Sequence, residues 1–291
     1  MKIKPAYYWE FMMSVKFESP SMWTASNIAL ITMRGNDRIS FLHNFCTNDI
    51  KKLVDNSVIE AYVTNIQGKC LGYVTVFQAS DELLLVTNDH KTEELVAHLD
   101  RYIITEDVEI TLNLKPNGLL LTGNGIEKWL QQEQLTGTLI TNHWFNQSSY
   151  WFFGELSATQ QNALNTLSDD QVHAVRIQTG IPIYGDDVTD ENLAQEVNRD
   201  QQTISFTKGC YLGQEPIARI DALGNVHWYL VRVDLGVIEA QSGDILTRES
   251  KPIAKIRSKS SLTNEALAYV KRGSHESGSN ISADQGEFKV I

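Results

Sequence analysis

Apolar residues at every second position mark a strand, and recurrence every three to four positions marks a helix face. IALITMRG (28–35) reads as a strand ended by glycine. Asn36 or Asp37 then caps a short helix, DRISFLHNF, with Ile39, Leu42 and Phe45 on one face. Strands are expected over 58–64, 71–77 and 82–87, the first two joined through a Gln67-Gly68 turn. Asn88 or Asp89 caps a second helix whose Leu95, Val96 and Leu99 share a side, and 102–104 and 108–114 read as extended. A similar cycle starts at 119–122, with helices over 126–132 and 158–167 and a strand over 150–154. GLLLTGNG (118–125) has neither the GxGxxG spacing nor the lysine of a phosphate loop, so it reads as strand and turn.

The pattern therefore predicts an α+β protein. Residues 1–25 form a loosely attached arm, and two mixed units over 26–115 and 116–225 lack the regular alternation of a doubly wound sheet. After Gly224, the short alternating segments WYLVRVDLG, GDILTRESKPIAKIRS and EALAYVKRG predict a small antiparallel barrel or sandwich over 226–291, closed by FKVI.

Composition narrows the functional classes. At 291 residues, 42% hydrophobic and 21% charged, the chain is ordinary for a globular protein. No apolar run approaches the roughly 20 residues that span a bilayer. Glu10 interrupts MKIKPAYYWEFMM and no small-residue cleavage site follows, so a cytoplasmic protein without membrane contact is expected. A net charge of −11 repels a phosphate backbone, and Lys251, Lys255, Arg257, Lys259 and Lys271 are spaced as outward strand positions; direct, tight nucleic-acid binding is not expected. The three cysteines, Cys46, Cys70 and Cys210, are far apart and odd in number, which suits a reducing compartment. The seven histidines show no zinc spacing. Asp186, Asp187, Asp190 and Glu191 could suit a hard cation, but Thr189 or Asp190 reads more simply as a helix cap, and no metal is expected.

The most unusual segment is ISFTKGCYLGQEPIAR (204–219). Gly209 and Gly213 allow tight or positive-φ backbone around Cys210 and Tyr211, and Pro216 limits helix formation before it. Lys208, Glu215 and Arg219 surround Cys210 in sequence, and a neighbouring cation favours a thiolate. Two readings stand: a reactive thiol, or a small hydrophobe in a glycine-rich turn. Cys46, on an apolar helix face, and Cys70, at a hairpin, read as packing. Asp49, in the sequence TND, could polarise a substrate or form an Asx-turn.

KGCYLGQE, that is Lys208, Gly209, Cys210, Tyr211, Leu212, Gly213, Gln214 and Glu215, with Arg219 beyond it, resembles the K-G-C-Y-x-G-Q-E signature of the YgfZ family, folate-binding relatives of the glycine-cleavage T-protein. ITMRGNDRISFLHNFCTNDIKKL, AYVTNIQGKCLGYVTVF, VRIQTGIPIYGDDV and ENLAQEVNRDQQTISF extend the similarity over most of the chain. The resemblance implies two intertwined ferredoxin-like α+β units around a folate channel, followed by a C-terminal antiparallel β-barrel. It implies tetrahydrofolate or a derivative as cofactor, with Asp49, Ile28, Val172, Arg176 and Gln178 on the folate side. It further implies support of iron–sulfur cluster assembly or repair in client enzymes, tRNA-modifying ones included. Cluster carriers or the clients would be partners, and Cys210 and Lys208 the reactive pair. Two departures bear on activity. Gly72 and Tyr73 stand where T-proteins carry an acidic pair, so aminomethyl transfer by their mechanism is not expected. Gln178 replaces the pterin-holding glutamate, and a neutral amide makes no charge-assisted pair. The alternatives are a folate-dependent one-carbon transferase or demethylase with another base, such as Asp49 or Glu215, and a partner-binding module that needs no folate.

Overall fold

The computed structural model describes residues 16–114, 116, 118–224 and 226–291. The N-terminal segment weighed above as a secretory signal, and residues 1–15 of the expected arm, lie outside the described residues. What remains of that arm is not loose. Ser21–Thr24 is a strand, β1, drawn into a sheet of the second unit.

The first unit comprises β2 (Ile28–Arg34), α1 (Arg38–Phe45), β3 (Val58–Thr64), β4 (Cys70–Gln78), β5 (Leu83–Asn88), α2 (Thr92–Asp100) and β6 (Glu109–Asn113). Its five strands form an antiparallel sheet in the order β3-β4-β5-β2-β6. β5 opens on four consecutive apolar residues, Leu83 to Val86, because both faces are covered. Leu83 and Leu85 pack with Phe41, Leu42, Leu95 and Leu99 of α1 and α2, while Leu84 and Val86 face the second sheet. Burying each of these side chains contributes roughly 1.5–3 kcal/mol.

The second unit adds β7 (Gly118–Thr122), α3 (Ile126–Gln132), β8 (Gly137–Asn142), β9 (Ser149–Gly154), α4 (Ala158–Asn162), β10 (Asn165–Thr166) and α5 (Asp169–Gln178). Its sheet runs β10-β1-β7-β9-β8, so the strand that precedes the first unit in sequence completes the second. That exchange is what intertwines the units. The two sheets meet face to face through Ile28, Phe77 and Val86 on one side and Trp23, Leu120, Ile140 and Trp151 on the other.

α6 (Asp200–Thr203) and α7 (Gln214–Leu223) lead to β11 (Trp228–Asp234), β12 (Ile245–Arg248), β13 (Lys251–Lys259), β14 (Glu265–Lys271), β15 (Asn280–Ala283) and β16 (Gly286–Val290). These six form one antiparallel sheet, β12-β13-β14-β11-β16-β15, curled into a half-barrel around Val233, Ile256, Ala268 and Phe288. The expected barrel is not closed by a strand ladder. Its edges are tied where Thr247 Oγ1 donates to Asp284 Oδ2 at 2.8 Å and Asp284 N donates to Thr247 O at 2.7 Å.

Several local expectations change. The helix expected over 158–167 stops at Asn162, because Asn165 and Thr166 pair with Ser21 and Met22. Residues 102–104 form a turn and bend rather than an extended run. Neither Asn36 nor Asp37 caps α1 through its side chain; the Asp37 carboxylate accepts from Asp107 N at 2.9 Å. The residue before α2 is Lys91, in the left-handed region, and Asn88 accepts from His90 N instead. Pro216 lies inside α7, in its first turn, where its missing N–H costs nothing.

A buried ion pair fastens the half-barrel to the second unit. Arg176 Nη1 on α5 meets Asp187 Oδ2 at 2.8 Å, and both side chains are essentially inaccessible. Ser258 of β13 accepts from Arg176 Nη2 and donates to Asp187 Oδ1, each at 2.6 Å. Removing one charge strands the other, so Arg176→Met should cost about 3–5 kcal/mol in urea unfolding, and the double variant with Asp187→Leu should recover most of it.

Candidate functional site

The KGCYLGQE segment is bolted to the first unit from three sides. Lys208 Nζ is buried and donates to His43 O, Cys46 O and Asn48 O at 2.5–2.8 Å. These carbonyls surround the C-terminal end of α1, where partial negative charge accumulates, so the ammonium acts as a helix cap supplied from far along the chain. Its ammonium also lies 4.7 Å from the centre of the Tyr211 ring. Leu212 N donates to Asn44 O and Leu212 O accepts from Thr64 Oγ1. Gly213 has φ +84°, and a Cβ there would sit 2.4 Å from Asn65 O, so only glycine lets the loop lie against the β3–β4 turn.

The TND segment is part of the same bracing. Asn48 Nδ2 donates to Glu60 O and Gln202 O, and Thr47 Oγ1 donates to Thr203 O. Asp49 Oδ1 lies 3.3 Å from His43 Nδ1, and Asp49 Oδ2 lies 3.1 Å from Lys52 Nζ. Burial works against the Asp49 carboxylate, but the hydrogen bond and charge of Lys52, with His43 and Lys208, hold it below the usual range. Burial and the Lys208 charge lower His43, and burial lowers Lys208 itself. Asp49 thus stands with Lys208 and lines neither cavity described below, so the structure separates it from the expected folate residues. All three N–H donors of Lys208 are given to carbonyls, so it anchors the loop.

Held in this way, Cys210 is exposed, and a Cβ at Gly209 would meet nothing within 4 Å. Gln214, Glu215 and Arg219 follow on α7, the last two exposed. Cys46 and Cys70 are buried, and burial pushes the Cys46 thiol up to about 11 and that of Cys70 further. The four candidate metal acids do not converge. Asp187 pairs with Arg176 and Asp190 with Lys91, and no cluster able to hold a metal occurs among the described residues.

A second feature lies between the two sheets. A narrow slot of about 30 Å³ is walled by Ile28, Tyr73, Trp144, Trp151, Ile183 and Tyr184. It adjoins a cleft of about 400 Å³ that shares Asn27, Trp144 and Ile183 and continues past Val172, His173 and Arg176. Ile28 lines the slot and Val172 the adjoining cleft, with aromatic surface supplied by Trp144 and Trp151 in the slot and by Trp23 and Trp144 in the cleft. Arg176 borders the cleft, but its guanidinium is committed to Asp187, Ser258 and Ile181 O, so it is structural. Gln178 is the half-buried last residue of α5 and is absent from both walls. Cys210 lines neither cavity.

The positions of the missing acidic pair have clear reasons for their residues. A Cβ on Gly72 would fall 2.7 Å from Leu95 Cδ2. Tyr73 donates its hydroxyl to Glu60 Oε2 at 2.8 Å, and Glu60 is paired with Arg199. Glu60, Arg199, Trp144, Trp151 and Tyr184 were not among the expected site residues. The aromatic density of HWFNQSSYWFF was the available signal for the tryptophans; the Glu60–Arg199 pairing, across 139 residues, left none.

Two facing sheets, an exchanged strand and a curled C-terminal sheet define the glycine-cleavage T-protein fold. The glycine cleavage system aminomethyltransferase T from Bartonella henselae superposes with a TM-score of 0.77 over 94% of this chain and 86% of that one, at 14% identity. No protein-family model matches the chain. The tRNA-modifying protein YgfZ of Aliivibrio fischeri is 25% identical over 236 residues, covering 76% of this chain and 73% of its own length. A putative chloroplastic transferase of Arabidopsis thaliana is 21% identical over 300 residues, covering 91% of this chain and 68% of its own length. These relatives and the shared architecture support the YgfZ-type family for this chain. No described helix is long and apolar enough to cross a membrane.

Only one thiol is reachable from solvent. Iodoacetamide should modify Cys210 alone in the native protein, with Cys46 and Cys70 labelled only after denaturation, as read by peptide mass spectrometry.

Proposed function

We propose that this chain is a cytoplasmic folate-binding accessory protein that supports assembly or repair of iron–sulfur clusters in client enzymes, tRNA-modifying ones among them. The observation that carries the reading is the division of the molecule into an aromatic path between the sheets and an exposed thiol on a braced loop elsewhere. Flat heterocycles stack on aromatic faces, which suits the ring end of a folate. The 30 Å³ slot is smaller than a two-ring heterocycle, so the ring would enter from the 400 Å³ cleft and move Trp144, which borders both. The printed name of the YgfZ relatives supports the link to tRNA modification.

Cys210 is the group we assign to partner or cluster contact. A cluster reaching it as cargo from a carrier would exchange one iron–thiolate bond: the Cys210 thiolate bonds to iron, the carrier's thiolate leaves, and the proton lost by Cys210 balances the one the departing thiolate takes up. Lys208 serves this step by fixing the loop. Aminomethyl transfer is not supported, because Gly72 and Tyr73 supply no carboxylate where T-proteins carry one and Tyr73 is committed to Glu60.

Two measurements test the proposal. Tetrahydrofolate should bind with micromolar or weaker affinity, no more than roughly 8 kcal/mol, and should alter tryptophan fluorescence in a way that Trp144→Phe diminishes. Absence of both heat and fluorescence change at millimolar folate would remove the cofactor. Separately, Cys210→Ser should unfold within about 1 kcal/mol of the wild type yet fail to restore iron–sulfur enzyme activity in cells lacking the native protein. Full complementation at native expression would make the loop a docking element without thiol chemistry.

A further inference from the structure

The cleft that leads to the aromatic slot is acidic, and its acidity bears on which folates could use it. Asp169 and Asp170, in the first turn of α5, and Asp186 all line it. Asp169 Oδ1 accepts from Trp23 Nε1 and Asp170 Oδ1 from Ser261 Oγ, each at 2.6 Å. Both donors are neutral, so these bonds orient the carboxylates without cancelling their charge. Three groups on the walls could offset them. Arg176 is matched by buried Asp187. Burial, and then the Arg176 charge, hold His173 toward its neutral form; its Nδ1 accepts from Arg176 Nε and its Nε2 faces Lys259 O, each at 3.3 Å. Lys259 is left on the walls, half-buried, with its ammonium 3.1 Å from Ser260 O; beside the cleft, Arg257 Nε donates to Asp186 O at 2.8 Å, so two cations stand against three carboxylates.

The slot and the cleft share Asn27, Trp144 and Ile183, so a ligand whose ring occupies the slot and whose tail leaves past these residues runs it along this cleft. We infer that Asp169, Asp170 and Asp186, outnumbering the cations Lys259 and Arg257, make this protein select folates carrying one glutamate over polyglutamylated forms, an inference that rests on the folate reading above. Lys259 can pair with one tail carboxylate. Every glutamate beyond the first adds a negative charge within screening distance of the three aspartates.

Calorimetry on the full chain with mono- and triglutamyl tetrahydrofolate, at low salt and at about 0.5 M salt, tests this directly. The triglutamate should bind roughly three- to tenfold more weakly at low salt. The ratio should fall toward unity at high salt and in the variant Asp169→Asn/Asp170→Asn/Asp186→Asn, whose amides keep an acceptor for Trp23 and Ser261. Lys259→Gln should weaken the monoglutamate. Equal or tighter triglutamate binding at low salt, or a preference unmoved by salt, overturns the inference while leaving folate binding intact. The salt series needs no variant to fold. If neither form binds, the folate reading fails and the selectivity fails with it.

Discussion

One ammonium group joins the two parts of the sequence that matter most. Lys208 Nζ, buried among the carbonyls of His43, Cys46 and Asn48, closes the end of α1 and fixes the loop that presents Cys210. Desolvating a cation is costly, and three charge-assisted hydrogen bonds offset that cost. The partners are backbone atoms rather than a carboxylate, so the contact depends on the path of the chain from 43 to 48 rather than on side-chain identity there. The cysteine is accessible because its neighbour is not.

The same economy appears in the pairs that hold the units together. Arg176 with Asp187 and Arg199 with Glu60 each place a guanidinium against a carboxylate away from water. The first fastens the half-barrel to α5, and the second braces Tyr73 beneath the aromatic slot. Arg176 stands where the resemblance implies a ligand contact, and its guanidinium is committed internally. In this chain charge in the interior holds geometry, and the surfaces left for binding are aromatic or acidic.

Much of the architecture was legible from periodicity. β2, β4 and β5 alternate or run apolar according to the faces they cover, and the half-barrel strands announce themselves between glycines. The misses share a cause. Neither β1, at the foot of the expected arm, nor β10, within an expected helix, carries enough local signal; β10 becomes a strand through pairing with β1, and β1 through pairing with β10 and β7. The site was legible in part for a similar reason. KGCYLGQE is contiguous and marked Cys210 as a candidate. The partners of Lys208 lie more than 150 residues away, and no spacing rule links a lysine to three distant carbonyls.

The exchanged strand has a consequence for the order in which the molecule can form. Ser21 pairs with Thr122, so β1 leaves the ribosome about one hundred residues before its first partner. At roughly 5–20 residues per second, that is a wait of about 5 to 20 seconds. During it the first unit can fold behind the segment SMWT, whose backbone groups and the side chains of Met22 and Trp23 have no partner yet. That interval is when the nascent chain presents an unpaired segment with an exposed tryptophan to other chains, and when a chaperone would have most to protect.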